Sequence, residues 1–338
     1  MFVAVGRLGV VGIMGVVAFA MRAVVTGSVG HSDQVRAGHL GIWVADAGEI
    51  QNSRRDIEIL EHLVSARPLT RLADGALRIG DVAENQRVIR ASLLASDLEG
   101  GDRRFAGRCR AGLDESALGN TTDYPLDETE HEKAIREGKQ RTSLQMNCSG
   151  KHSGMLATCV AAGWKHDLSY LSPDHPLQRH ITAMIPSLAG EPAAHIGVDG
   201  CGAPAHAMSL VGLARAFRSV AIAEPGTPQH RVAQAMTSHP EMVGGPTRDV
   251  TRLMQGVPGL VAKDGAEAVF AVGLPDGRAV ALKVSDGANR ARPPVMQAAL
   301  ARLGVGLEKV DPATWDSPVW GHGRRVGLCV AAGPLVTS

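Results

Sequence analysis

The sequence predicts an α+β fold built as one large unit. Three observations carry this expectation. Strand-like runs stand at Leu40–Ala45, at His195–Asp199 and on both sides of Pro275-Asp-Gly-Arg278. Helix-spaced apolar residues fill much of the chain between them. No internal repeat and no long low-complexity linker divides it. With 338 residues, one large domain or two intimately packed ones both fit.

The N-terminus is read first. Leu8 to Met21 is almost wholly apolar or Gly, with Arg7 before it and Arg22 after it. A spanning helix needs ~20 residues, so this run is too short for one. It resembles a signal-peptide core with Ala18-Phe-Ala20 as cleavage site, or a buried helix, or extra residues from an upstream start codon. Leu40–Ala45 then reads as a strand, turned by Asp46-Ala-Gly-Glu49. Residues 52–66 have helical spacing at Ile57, Leu60, Leu63 and Val64, and residues 83–96 repeat the pattern with Val88, Ile89, Leu93 and Leu94. Asp114 to Lys139 is charged, a surface excursion ending in a solvated helix over Glu128–Glu137.

Asn147 to Trp164 begins as a polar, reactive loop and becomes a helix with Met155, Leu156, Cys159 and Val160 on one stripe. Ser149 or Ser153 is expected to cap it and Gly163 to end it. Further helices are expected over Leu177–Ile185, Met208–Ala221, His230–Ser238 and Pro293–Leu303, the last with its proline early, where it is tolerated. Glu241 to Arg248, rich in Gly and Pro, should be loop. Pro-Asp-Gly between the apolar runs Ala266–Leu274 and Ala279–Val284 predicts a hairpin.

Composition limits function. Hydrophobic residues make up 44%, ample for a large core, and aromatics only 3%, so Ala, Val and Leu do the packing. The net charge of +1, from 35 basic and 34 acidic residues, gives no electrostatic reason to expect nucleic acid or a membrane surface as partner. Five scattered cysteines are not a disulfide framework, which points to a reducing, cytoplasmic setting; export is the alternative if residues 1–22 act as a signal.

Chemistry concentrates at Cys148, Ser149, Lys151, His152 and Ser153, where a loop enters a helix and free N–H groups lower a thiol's pKa. Asp199-Gly-Cys-Gly-Ala-Pro204 is a distant partner. Spacing alone does not make a metal site of Cys148, Lys151 and Cys201: the thiols are 53 positions apart and no Cys-x-x-Cys pair is present. An amine binds zinc only when neutral. The plainer reading is a buried Cys201 and a Lys151 that binds a carboxylate. Asp199 can orient a ligand, bind a substrate amine or close an Asx-turn. Lys263 is either a desolvated base or a turn-surface lysine, with Glu267 beside it as a salt-bridge partner. Cys159 belongs to the core, Cys109 and Cys329 are structural, and so are His175 and His239 before their prolines.

Taken together, the motifs are more specific. Asn147-Cys-Ser-Gly-Lys-His-Ser-Gly-Met-Leu156, Asp174-His-Pro-Leu-Gln178, Asp199-Gly-Cys-Gly-Ala-Pro204, His239-Pro-Glu-Met-Val243, Val261-Ala-Lys-Asp-Gly-Ala-Glu267 and Leu282-Lys-Val-Ser-Asp-Gly-Ala-Asn-Arg-Ala291 occur in that order. The chain resembles the rhizobial-type L-asparaginase II family, strongly from Leu113 to Leu303 and more weakly from Ala23 to Gly112. Residues 1–22 fall outside the resemblance. It implies a fold like serine β-lactamases and serine-dependent glutaminases, a homodimer, and hydrolysis of L-asparagine to L-aspartate and ammonia. It implies one zinc per chain held by Cys148, Lys151 and Cys201, against the spacing-only reading, with His152, Asp199 and Glu267 as substrate-binding residues.

The family also pairs a Ser with a Lys in Arg-Ser-x-x-Lys-Pro-x-Gln. Here the matching segment is Leu63-Val-Ser-Ala-Arg-Pro-Leu-Thr70, which has Val64 in place of the Ser and Arg67 in place of the Lys; no Ser-x-x-Lys occurs in the chain. A second family segment, Ser-His-x-x-Glu, survives in part as Ala95-Ser-Asp-Leu-Glu99, with Asp97 in place of the His, so Ser96 and Lys263 become the implied catalytic pair. The alternative is an impaired or inactive zinc-binding homologue, with a local frameshift over residues 52–75.

Overall fold

The computed structural model describes the strand Gly41–Ala45 and residues 112–336. The helices expected over 52–66 and 83–96, together with Ser65, Ser96, Cys109 and residues 1–22, lie outside the described residues. Strand β1 is Gly41–Ala45. Helices α1 (Glu128–Arg136), α2 (Ser149–Ala162) and α3 (Pro176–Ala189) precede the small hairpin of β2 (His195–Val198) and β3 (Pro204–Ala207). Next come α4 (Leu210–Ala221), α5 (Pro228–Ser238), the single turn α6 (Glu241–Gly244) and α7 (Asp249–Gly256). Strands β4 (Val261–Gly265), β5 (Val269–Gly273) and β6 (Ala279–Lys283) lead to α8 (Arg292–Arg302) and a last hairpin, β7 (Pro318–Gly321) with β8 (Arg324–Leu328). The mixture is α+β, as expected. No helix among the described residues is long and apolar enough to cross a membrane.

The main sheet has the order β1-β6-β5-β4, antiparallel throughout. All five residues of β5 are buried, and so are Ala279 to Leu282 of β6. Successive side chains point to opposite faces, so both faces of the sheet are covered. Helices α4 and α8 both pack on it. This is why β5 and β6 read as continuous apolar runs rather than alternations. Helix α4 presses Leu213, Phe217 and Val220 inward. It approaches so closely that a Cβ at Gly273 would lie 2.4 Å from the Phe217 carbonyl oxygen. Between β5 and β6 the expected hairpin forms: Gly277 has φ +90°, and its N–H donates to the Leu274 oxygen at 3.0 Å.

Three expectations need correction. The N-cap of α2 is Cys148, not Ser149 or Ser153, and no side chain caps it; Ser149 is already the first helical residue and is buried. Residues 241–244 form a helical turn rather than loop, because Pro240, at φ −63°, starts it in helical geometry. The strand expected from Ala266 begins only at Val269, because Glu267 and Ala268 take left-handed backbone at φ +57° and +56°.

Candidate active site and metal centre

Two local structures bring the reactive groups together. The first is the N-terminus of α2. Its helical register places Lys151 and His152 one turn beyond Cys148, with the His152 N–H donating to the Cys148 carbonyl at 3.0 Å. The second is the turn between β2 and β3. There the Asp199 N–H donates to Ala203 O and the Gly202 N–H to Asp199 O, both at 2.8 Å, with Gly202 at φ +87°. Asp199 also accepts the Gly200 N–H on Oδ1 at 2.7 Å, one residue on rather than the two of an Asx-turn, so the turn is closed by its backbone bonds.

Lys151 Nζ donates to Asp199 Oδ2 at 2.8 Å, with 4% and 6% of the two side chains exposed. The Cys201 thiol donates to the same oxygen at 3.2 Å. The two sulfurs and an Asp199 oxygen all lie within 4.8 Å of one another. The spacing-based reading of Lys151 as a carboxylate partner is therefore also realised, inside the cluster that the family resemblance assigns to zinc.

Electrostatics divide the two thiols. The hydrogen bond from Cys201 lowers Cys148 most; burial opposes it, and Lys151 and Lys263 add to it, so that Cys148 ionises at about 6. Cys201 is pushed up to about 12, first by the same hydrogen bond and then by burial. Burial works against the Lys151 ammonium, but Cys148, Cys201 and Asp199 outweigh it and raise its pKa.

The donor chemistry suits zinc. Thiolates with a nitrogen or oxygen donor are the usual zinc set, and the two sulfurs and the Asp199 oxygen, within 4.8 Å of one another, need to close by only about 1 Å to reach the ~3.3–3.8 Å separations of tetrahedral zinc ligands. A further fit is His152. Its Nδ1 lies 2.5 Å from the Tyr170 hydroxyl. That oxygen already accepts the Gly119 N–H at 2.9 Å, which favours the phenol as donor to Nδ1 and the tautomer with its proton on Nε2. Nε2 is buried, with the Cys201 thiol too poorly placed for a full hydrogen bond but close enough to raise the ring's pKa against burial. Burial depresses His152, which keeps the ring neutral. Replacing Tyr170 by Phe strands the Gly119 N–H and His152 Nδ1, and should lower stability by about 1–3 kcal/mol in a urea titration.

Lys263 lies on β4, within electrostatic reach of the Cys148 thiol. Its amine is held by Asp264, at 2.8 Å to Oδ1 and 3.0 Å to the backbone oxygen. Glu267 is not its partner, contrary to the salt-bridge reading. Glu267 points outward with its side chain 76% exposed, 3.9 Å from Lys283, whose Nζ also donates to the Glu267 carbonyl at 2.7 Å. The structure thus gathers Cys148, Lys151, His152, Asp199 and Cys201, keeps Lys263 within electrostatic reach of Cys148, and leaves Glu267 apart. Ser96 lies outside the described residues. Cys159 is wholly buried in the core, as expected, and His175 caps α3 by accepting the Leu177 N–H on Nδ1 at 3.2 Å. Sequence reasoning missed Asp264, Arg248 and Arg292, which form one ion cluster with Asp249, and it missed Tyr170. Only the position of Asp264 next to Lys263 hinted at any of them.

No curated protein matches the chain. The family model for L-asparaginase II matches residues 72–330, just downstream of the segment where the Ser-x-x-Lys pair is missing. The converging thiols, the lysine beside them and a match over most of the chain lead to one conclusion: this protein belongs to the L-asparaginase II family of amidohydrolases.

Proposed function

We propose that the chain hydrolyses L-asparagine with Ser96 as nucleophile and Lys263 as base, beside one zinc held by Cys148, Lys151 and Cys201. What supports this most is that Lys263, the lysine of the family motif, stands on β4 within electrostatic reach of the Cys148 thiol. Neutral Lys263 takes the Ser96 hydroxyl proton, and the alkoxide attacks the side-chain amide carbon. The C–N bond then breaks, and ammonia leaves with the proton returned by Lys263. Water, deprotonated by the same lysine, releases aspartate from the acyl-serine. Bound zinc would supply a fixed positive charge that orients substrate. Asp199 acts first on Lys151, and His152 offers an Nε2–H donor; the substrate-binding role that the resemblance gives Glu267 is not supported by its outward, exposed side chain. The homodimer and the serine β-lactamase-like fold rest on the resemblance.

A second reading, an impaired zinc-binding homologue, is favoured by Val64 and Arg67 where Ser and Lys belong and by a family match that starts at residue 72. Arg67 cannot act as a base near neutral pH. Ammonia release from L-asparagine by the purified protein decides between the two. Release that vanishes in Ser96→Ala supports the first reading. Wild type at the blank level selects the second, and full activity in Ser96→Ala removes Ser96 from the mechanism.

A further inference from the structure

Lys263 is the visible end of a buried charge cluster. One oxygen of Asp264, Oδ1, accepts the Lys263 amine at 2.8 Å. The other, Oδ2, is shared by two guanidinium groups, Arg248 Nη2 and Arg292 Nη1, the latter at 3.0 Å. Arg292 is fixed in turn by Asp249, with Nη2 2.8 Å from both carboxylate oxygens and Nε at 3.1 Å from one, and by the Phe270 ring 5.3 Å below its guanidinium carbon. Arg248 is fixed through its neighbour: Asp127 Oδ2 accepts both the N–H and the hydroxyl of Thr247, each at 2.8 Å. The Asp264 side chain is 3% exposed, those of Arg292 and Asp249 6% and 9%, and that of Lys263 22%. Lys263, Arg248 and Arg292 bring three positive charges against the two negative charges of Asp264 and Asp249. The five side chains balance when the Lys263 amine is neutral and carry an excess charge when it is not.

We propose that Asp264 is a positioning residue for Lys263. Its Oδ1 aims the amine, while Arg248 and Arg292 on Oδ2 share its negative charge, so that the amine is held in place by a carboxylate whose pull is divided among three cations. A lone buried aspartate would aim the lysine equally well but would bind the charged form, which cannot accept a proton. The two arginines convert a salt bridge into a support. This rests on the reading of Lys263 as the base.

The test follows the amine itself and so does not depend on turnover. The full-length protein is treated at one pH with limiting acetic anhydride, and acetylation of Lys263 is read by peptide mass spectrometry against exposed Lys309. Asp264→Asn takes the carboxylate's charge off the amine, leaving the backbone oxygen as a neutral partner, and should speed Lys263 labelling by about tenfold, the scale of one charged hydrogen bond. Arg248→Gln leaves Asp264 less compensated and should slow labelling by roughly threefold, the effect of one partly screened charge pair. A merely structural cluster loosens in both variants and speeds both. Faster labelling in Arg248→Gln, or an unchanged rate in Asp264→Asn, overturns the proposal. If Asp264→Asn does not fold, Arg248→Gln decides alone. In the ammonia assay both variants should lower kcat, by about a hundredfold for Asp264→Asn if the amine is misplaced by ~1 Å, with KM little changed. A KM effect at constant kcat also overturns it. Wild-type inactivity would defeat the asparaginase reading while the labelling still decides the role of Asp264.

Discussion

Lys263→Met is expected to abolish ammonia release from L-asparagine, with kcat falling by about 10²–10⁴-fold, the usual share of a positioned general base. Methionine keeps most of the apolar stem and removes only the amine. The side chain is 22% exposed and sits at the outer end of its ion cluster, so the two arginines on Asp264 remain paired and the fold should persist. Thermal unfolding of the variant should therefore stay close to wild type while turnover is lost. Lys263→Arg is the sharper companion. It preserves the charge on Asp264 but cannot give up a proton near neutral pH, so it should be as inactive as the methionine variant. Retained activity in either one would place the base elsewhere and remove the electrostatic link between Lys263 and the cysteines as an argument for function.

Cys201→Ala should carry no zinc above background, against about one zinc per chain in wild type, measured by metal analysis after gel filtration. Cys201 is 1% exposed and lies within 4.8 Å of both other converging donors, so removing its sulfur takes away a buried donor that no other side chain of the cluster duplicates. Cys148→Ala should behave the same way. Lys151→Met separates two arrangements of the third position. Loss of zinc is expected if the amine ligates. Retention would assign that position to Asp199, whose Oδ2 already faces Lys151 at 2.8 Å and the Cys201 thiol at 3.2 Å. Equal zinc in wild type and Cys201→Ala would end the metal assignment altogether.

Much of the architecture was legible from local patterns. The helix spacing from Met155 to Val160, the Pro-Asp-Gly hairpin and the charged Glu128–Arg136 helix all follow from residues a few positions apart. The misses share one physical character. The late start of β5 comes from left-handed backbone at Glu267 and Ala268, two residues with no propensity for it, so no residue type announced it. Strand β4 was not anticipated because Lys263 and Asp264 interrupt its apolar residues. Their charges are met by side chains from the segments before α7 and at the start of α8, which a local window does not contain.

The sequence by itself determined the chemical inventory of the candidate site. It named Cys148, Lys151 and Cys201, the family they imply, and the gap at Val64 and Arg67 where a nucleophile pair would stand. Those are matters of residue type and order, written directly in the chain. Tertiary structure alone decided which groups face one another. Lys151 meets Asp199 across 48 positions, Gly119 and His152 meet through Tyr170, and Asp264 is shared by lysine and arginines from three separate segments. Buried charges demand partners, but burial is a property of packing, and the sequence separation of partners carries no trace of it.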